Sequence, residues 1–500
     1  MKQTSDATLL SRFVRGTIYT SLSTGLGIIS GIATTKVLAV FLPSGDFGVA
    51  LLMELVANFL AMISGFSIGI AAIRALTNAG QEEQTIIVDT VVIFRLVTAI
   101  LVSVVFFFAQ DGVYWLLGEK PVANLAYVIP VFTLVVAYQT LLRQMLQGFF
   151  RFRQMALIDL GGSILNLALM VLFLVWLKAG LEGAIYARIL GILVTCVLFY
   201  LALPTPKGFS FRYHKLVELL RFSWALQLND ILTFIFNSFG TLVVAAVMTP
   251  ADVAALTIAS RIPNNLRRLY EAFRTVYFPN LANLVSSGDK QRAQRMLNAT
   301  LRLVAFLMTF ASVIVMLFQR ELVLLFYSEQ YLAVAPIFVL MMLSTTIGLI
   351  GNVLGNSTVA AGNSKAPAIS NIVNTAFTVL GNLTLVPLFG IAGSVWAGII
   401  GRAVTNPLNV WFLRKAGLVA RVMDYLKPVL LFSVTYALFL WIQPEALWVR
   451  LSLLLTFVVA SFVFSVVTFR DIRTILDNLE RLWGDRLRKR AAPLEMTTRG

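Results

Sequence analysis

The chain has one cysteine and one histidine in 500 residues. Cys196 has no second thiol to join, so no disulfide forms within the chain and no cysteine-based metal site can be built. His214 stands in a basic stretch, Phe211-Arg212-Tyr213-His214-Lys215, and reads as a solvated loop residue. That scarcity argues against a zinc site or a catalytic histidine. Charge is scarce too: Asp, Glu, Lys and Arg make up 13% of the chain. Ordinary soluble domains carry about 25%. So little charge cannot coat a water-facing surface, which excludes a cytosolic enzyme, a secreted disulfide scaffold and a disordered protein. No glycine-rich phosphate loop, no HExxH and no GxSxG is present. Nothing calls for a cofactor or a metal, and an enzyme is the least supported class.

What the chain does have is apolar length. Hydrophobic residues make up 58%. A membrane-spanning helix needs about 20 mostly apolar residues, and fourteen such runs can be read. Six lie at 17–42, 47–73, 86–109, 122–142, 155–177 and 181–203. Six more lie at 223–248, 251–287, 303–326, 334–358, 366–388 and 391–413, and a last pair at 428–442 and 447–469. The expected fold class is therefore an all-α polytopic membrane protein with about 14 transmembrane helices. Its divisions would be a cytoplasmic segment 1–16, an N-lobe 17–203, a basic linker 204–222, a C-lobe 223–413, a helix pair 414–469 and a basic tail 470–500. No cleavable signal is read at the N-terminus, where Met1 to Arg15 is polar and basic. The tail sets Ile472, Ile475, Leu476, Leu479, Leu482 and Trp483 at helical spacing among basic residues, a pattern suited to an anionic leaflet.

The net charge of +16 orients the chain. Of 40 Lys and Arg, 28 fall in the terminal segments and even-numbered connections, while only Lys120, Lys178, Arg320 and Arg450 fall in odd-numbered ones. Positive residues favour the cytoplasmic side, so both termini are expected there, in a cytoplasmic (inner) membrane. In such a chain basic excess marks loops, not a nucleic-acid partner. The charge-rich run 251–287 must cross, because otherwise every later loop would invert against this bias.

A glycine pattern recurs. Gly180, Gly183, Ala187 and Gly191 match Gly390, Gly393, Ala397 and Gly401 at an offset of 210. The same offset pairs Ala156-Leu157-Ile158 with Ala366-Pro367-Ala368. A duplication of six spans predicts two halves of like orientation. Small-xxx-small spacing is also common in packed membrane helices, so chance recurrence stays open.

The informative residues are charges where lipid is expected. The eighth run carries Arg261, Arg267, Arg268, Glu271 and Arg274, with Asn264 and Asn265. On a helical wheel with Arg261 at zero, these fall in the half from about 220° through zero to about 40°. Ile258, Ile262, Leu266, Leu269, Phe273 and Tyr277 take the other half. Each arginine facing mid-bilayer lipid costs roughly 2.5–3.5 kcal/mol, and four cost about 10 kcal/mol or more. The polar half must face water, protein or an anion. Snorkelling, or pairing with Glu271, is the plainer account, and it suits Arg274 best. Lys36, Arg95, Arg188 and Arg402 lie in other runs, opposed by Glu54, Asp230 and Glu271. A net-positive interior attracts an anion, and arginine's planar fork suits phosphate. Lys36–Glu54 or an Arg–Asp230 contact could instead be a structural pair. Glu54, Asp230 or Glu271 could carry a coupling ion. Asn352, Asn356, Asn371 and Asn374 could bond sugar hydroxyls or serve helix packing.

Several stretches carry a family resemblance. They are Gly16-Thr17-Ile18-Tyr19-Thr20 with Gly25-Leu26-Gly27-Ile28-Ile29, Leu146-Gln147-Gly148-Phe149-Phe150-Arg151-Phe152, Ala360-Ala361-Gly362-Asn363-Ser364-Lys365-Ala366-Pro367-Ala368 and Gly390-Ile391-Ala392-Gly393-Ser394. With the span count and cationic interior, they resemble the polysaccharide transport flippases of the Wzx type. That family belongs to the superfamily of the multidrug and toxin extrusion (MATE) transporters and the lipid II flippases. The resemblance implies two pseudo-symmetric six-helix lobes around a central cavity, plus a C-terminal pair. It implies flipping of a polyprenyl-pyrophosphate-linked oligosaccharide, such as an O-antigen or exopolysaccharide unit, from inner to outer leaflet. The eighth span would line the cavity. The implied partners are that glycolipid, membrane lipid and a glycan polymerase or export machinery. A MATE-type extruder of organic cations and a non-transporting membrane scaffold are the competing readings.

Overall fold

The computed structural model describes residues 25–116, 127–205, 210–363 and 365–466. Among these residues there are helices and no strands. They run α1 (Gly25–Phe41), α2 (Ser44–Gly65), α3 (Ile68–Asn78), α4 (Gln81–Leu116), α5 (Val128–Gly148), α6 (Phe152–Val171) and α7 (Gly180–Leu201). Then follow α8 (Tyr213–Val247), α9 (Pro250–Ser286), α10 (Lys290–Leu317), α11 (Gln319–Phe326), α12 (Ala335–Ala360), α13 (Lys365–Lys415), α14 (Val422–Ile442) and α15 (Leu447–Val463). The tail from Arg470 and the opening of the first span, through Thr24, lie outside the described residues.

Helices are what a bilayer demands, since each satisfies its own backbone. By length and composition nine helices among the described residues can cross a membrane, or ten if the bent pair Leu226–Ile235 and Asn237–Val247 is one span. This count does not confirm the expected fourteen. The first and last runs, α1 (Gly25–Phe41) and α15 (Leu447–Val463), are too short to qualify over their described residues. The second run breaks at Phe66 and Ser67, whose φ angles of 46° and 48° are left-handed, so it becomes α2 and α3, and α2 alone is long enough to cross. The eighth run, α9, carries too much charge to qualify. The eleventh and twelfth runs form α13, 51 residues long. A straight helix of that length would reach about 77 Å, over twice the hydrocarbon core. It is two helices meeting at Gly390, where φ is 58° and ψ −139°. Residues 213–222, read as linker, are the first turns of α8. Leu216 and Leu219 bury there against α3, α4 and α7, and Lys215 pairs with Glu83 at 2.8 Å. Asp89 holds the backbone N–H of Ser210 at 3.0 Å just upstream.

The chain divides into two compact units. One comprises Met1–Ala259, Arg320–Val334 and Asn382–Ser394. Within it α5 packs on α2, α3, α4 and α7, and α6 packs on α7. Its largest core joins Ile68, Leu76, Val91, Leu142, Met145 and Phe199. The other comprises Ser260–Gln319, Ala335–Gly381 and Val395–Gly500. There α10 packs on α12 and α14, around Val313, Met316, Val339, Phe432 and Phe457.

The recurring glycines share one packing task. A Cβ on Gly191 would lie 3.4 Å from Asn166 Oδ1, and one on Gly401 would lie 2.6 Å from Asn374 Oδ1. Each glycine lets its helix approach an asparagine of the helix before it. The glycines are offset by 210 and the asparagines by 208, so the gapless register read from Ala156 and Ala366 slips by two.

Trp176, Trp441 and Trp448 are 78%, 82% and 74% exposed. They stand at helix ends on connections expected outside, where tryptophan favours the membrane interface.

Gly393 has no room for a side chain, since its Cβ would fall 2.1 Å from the Leu385 carbonyl oxygen. Gly393→Ala should destabilise the protein by about 1–3 kcal/mol. Gly355→Ala, with open space around the added carbon, should not. Thermal unfolding in detergent, read by intrinsic fluorescence, separates the two.

Candidate functional site

Helix α9 positions the arginine face. Past Arg261 its buried residues, among those described, are Pro263, Tyr270, Tyr277 and Leu281. On the wheel that stripe lies within about 20° of the point opposite Arg261. Two hydroxyls fasten it to α12. Tyr277 Oη and Ser357 Oγ are 2.8 Å apart, and Asn356 Nδ2 donates to Tyr270 Oη at 3.2 Å. The apolar half of the wheel is not all core: Leu269 is 65% exposed, and Phe273 is exposed as well.

Arg261, Asn264, Arg267 and Arg268 are exposed on the other side, with Asn265 half-buried. Among the described residues Arg261, Arg267 and Arg268 have no ion-pair partner. Arg274 differs. Its Nε lies 3.3 Å from Glu271 Oε2, one turn back, so both charges are spent locally.

Arg402 of α13 belongs to the same unit. Its Nη1 donates to the Ser344 carbonyl at 2.7 Å and to the Ser344 hydroxyl. It passes over Gly348, where a Cβ would come within 2.9 Å of the guanidinium Nε. Arg402 and Arg267 are near enough for their charges to repel. No ion pair stands between these two cations among the described residues.

The other cations named from the sequence are engaged. Lys36 Nζ donates to the Leu325 carbonyl. Arg188 Nη2 meets Glu54 Oε1 at 2.7 Å, on side chains about one-third exposed. Arg95 requires a correction. It is only 5% exposed and donates to the carbonyls of Ala61 at 2.7 Å and Ala137 at 3.3 Å. A guanidinium so enclosed presents no surface to a ligand; it caps the broken end of α2.

That cap belongs to a group the sequence reading missed. The break after Gly65 orphans carbonyls in the last turn of α2. Thr98 takes Ser64 at 2.7 Å and Gln227 takes Met62 at 3.3 Å, while Arg95 reaches the Ala61 carbonyl just upstream, which Ser64 Oγ also bonds. Ser67 donates to Asp230 Oδ2 at 2.6 Å, which places that carboxylate at the start of α3, where negative charge is favoured. The three candidate coupling carboxylates thus have partners: Glu54 has Arg188, Glu271 has Arg274 and Asp230 has Ser67. The small residues Ser64, Gly65 and Ser67, clustered around Phe66, were the available signal for the break.

With this arrangement in place, the comparisons with known proteins become decisive. The profile of the family described as "Polysaccharide biosynthesis protein" matches residues 37–336. The chain belongs to that family. A curated relative, the succinoglycan biosynthesis transport protein ExoT of Rhizobium meliloti (strain 1021), is 24% identical over 310 residues. The match covers 60% of this chain and 59% of that protein, so the chain spans about six-tenths of its relative's length. Among solved structures, the lipid II flippase MurJ in an inward closed conformation aligns with a TM-score of 0.68 at 14% identity, covering 92% of this chain and 99% of that one. An inward-facing multidrug resistance MATE transporter of the MOP superfamily aligns at 0.62 and 17%, covering 78% and 94%. This member of the polysaccharide biosynthesis family is therefore a membrane protein with the fold of those transporters.

The geometry separates the cations by role. Arg95→Gln should lower thermal stability, because it removes a buried charged donor that ties the Ala61 carbonyl of α2 to the Ala137 carbonyl of α5. Arg267→Gln should raise it, because repulsion with Arg402 is relieved. Parallel melts at low salt measure both, and the gain from Arg267→Gln should shrink as salt screens the pair.

Proposed function

We propose that the chain is a flippase that moves a polyprenyl-pyrophosphate-linked oligosaccharide from the inner to the outer leaflet of the cytoplasmic membrane, for surface polysaccharide biosynthesis. The observation that carries this reading is the trio Arg261, Arg267 and Arg268. Each is exposed, and none has an ion-pair partner among the described residues. Each lies at least eleven residues from either end of α9, or about 16 Å along the helix. Held at that depth, three arginines facing lipid would cost about 8–10 kcal/mol. They are tolerable beside water and a polyanion. Pyrophosphate supplies paired oxygens for planar forks, with Arg402 as a fourth cation. Membership in the polysaccharide biosynthesis family and the likeness to ExoT, a succinoglycan biosynthesis transport protein, support the substrate class.

The work is transport, not bond making. The lipid tail stays in the bilayer, the glycan crosses in water, and the protein alternates which leaflet it opens to. Two access states of similar energy suffice, because bound cargo can shift their balance only by its differential affinity. The charge asymmetry supports cytoplasmic termini and an inner-membrane location. An extruder of organic cations on the MATE fold would need free carboxylates. Glu54, Asp230 and Glu271 are each engaged, which weighs against it.

Native mass spectrometry of gently purified protein should show a bound pyrophosphate glycolipid. The Arg261→Ala/Arg268→Ala variant should lose at least nine-tenths of that adduct at equal expression. Arg268→Glu should abolish polysaccharide export while still inserting in the membrane. Full export by Arg268→Glu would overturn the arginine clamp, and uptake of an organic cation by vesicles would favour the extruder.

A further inference from the structure

Two helix ends in the first unit cap each other although they lie almost 290 residues apart in sequence. α1 ends at Phe41, leaving carbonyls of its last turn without helical partners. Ser328 Oγ donates to the Ala39 carbonyl at 2.6 Å. Gln330 Nε2 donates to the same carbonyl at 2.6 Å and to that of Leu42 at 3.1 Å. The debt runs the other way at α11, whose last turn includes Leu325. Lys36 of α1 places its ammonium on that carbonyl, where the helix dipole also favours a cation.

Packing closes the same corner. The Tyr331 ring meets Phe47 edge-on, with centroids 6.4 Å apart, and both side chains are buried. Gly48 lies so near Pro250 that a Cβ would overlap its carbonyl. Every one of these segments is at the helix ends that the charge pattern assigns to the outer face: the α1–α2 corner, the start of α9 and the 326–334 connection.

We propose that this corner is an outer latch released by cargo, with Lys36 as the shared element. In the latched form its ammonium bonds a neutral carbonyl. A phosphate oxygen is the stronger acceptor, because a bond between two charged groups is roughly twice as strong as one to a neutral group. Pyrophosphate that reaches Lys36 takes the ammonium from Leu325 and removes one of the two sides of the reciprocal cap. The remaining bonds, from Ser328 and Gln330, are neutral and exchange readily for water. The outer end therefore loosens when the anion is aboard and stays shut when it is not. This inference rests on the pyrophosphate reading above. The competing account is that Lys36 is a permanent cap with no part in transport.

Cross-linking distinguishes them. In a Cys196→Ser background, Ala39→Cys with Ser328→Cys places thiols on the two residues that the Ser328 hydroxyl and the Ala39 carbonyl already join. The protein is placed in nanodiscs with or without undecaprenyl pyrophosphate carrying no glycan, and binding is followed separately by native mass spectrometry. Disulfide formation with copper phenanthroline is followed by loss of maleimide labelling. Without the probe the disulfide should form readily, and in cells carrying the same variant oxidation should stop polysaccharide export until dithiothreitol restores it. Saturating probe should slow its formation by at least about three-fold, the shift expected of a modest differential affinity. Lys36→Gln should abolish that response, and Lys36→Arg should keep it. Bound probe with an unchanged rate overturns the latch and leaves the flippase reading standing. No bound probe overturns the flippase reading and the cargo release with it. Export that continues in the oxidised, cross-linked protein overturns the latch by itself.

Discussion

A charge or a bare carbonyl inside a bilayer must find a partner, and most polar contacts in this protein answer that demand. Water cannot be relied on there, so a helix that stops early inside the membrane leaves acceptors that other helices must reach. The break between α2 and α3 is met by Arg95, Thr98 and Gln227. The end of α1 is met by Ser328 and Gln330, and the end of α11 by Lys36. In each case the donor comes from a distant part of the chain, so local helix breaks become long-range ties. The arginine face of α9 stands out against this background because, among the described residues, Arg261, Arg267 and Arg268 have no ion-pair partner.

This difference also sorts structural from functional charge. A buried guanidinium with carbonyl partners is a rivet, as at Arg95. A one-third-exposed guanidinium with a carboxylate, as at Arg188 and Glu54, is neutral overall and can stand beside water at little cost. An exposed guanidinium near another of the same sign, as at Arg267 and Arg402, stores repulsion that an anion relieves. Sites of the last kind trade stability for binding.

Much of the fold could be read from composition, and less of the site. Apolar length and the 28-to-4 split of basic residues outside the spans yield helices and a membrane. The wheel of α9 separated its arginines from its packing stripe, because 3.6-residue geometry needs no tertiary knowledge. It erred on Leu269, since an apolar side chain facing lipid and one facing core read alike. Arg95 was grouped with the binding cations for a similar reason. A sequence shows that a charge lies within a span but not which carbonyl it meets, and the break at Phe66 that creates its partners is set by two left-handed residues of ordinary type. The merging of two runs into α13 turned on Gly390, whose place in the glycine pattern was visible but whose φ of 58° was not.

The two-residue slip between the glycine and asparagine registers says where this architecture can change in length. Adding two residues within a helix swings everything beyond them by about 200°, which would turn Asn374 to the far side from Gly401. The extra length must sit where rotation is not transmitted, in the bend at Gly390 or its counterpart at Gly180, both with φ near 57°. The five-residue π-turn at Leu172–Trp176 is another such buffer, taking up a residue by widening one turn. Length variation among descendants of a common hairpin should therefore collect at these bends and wide turns, and the straight helical stretches between them should keep their count.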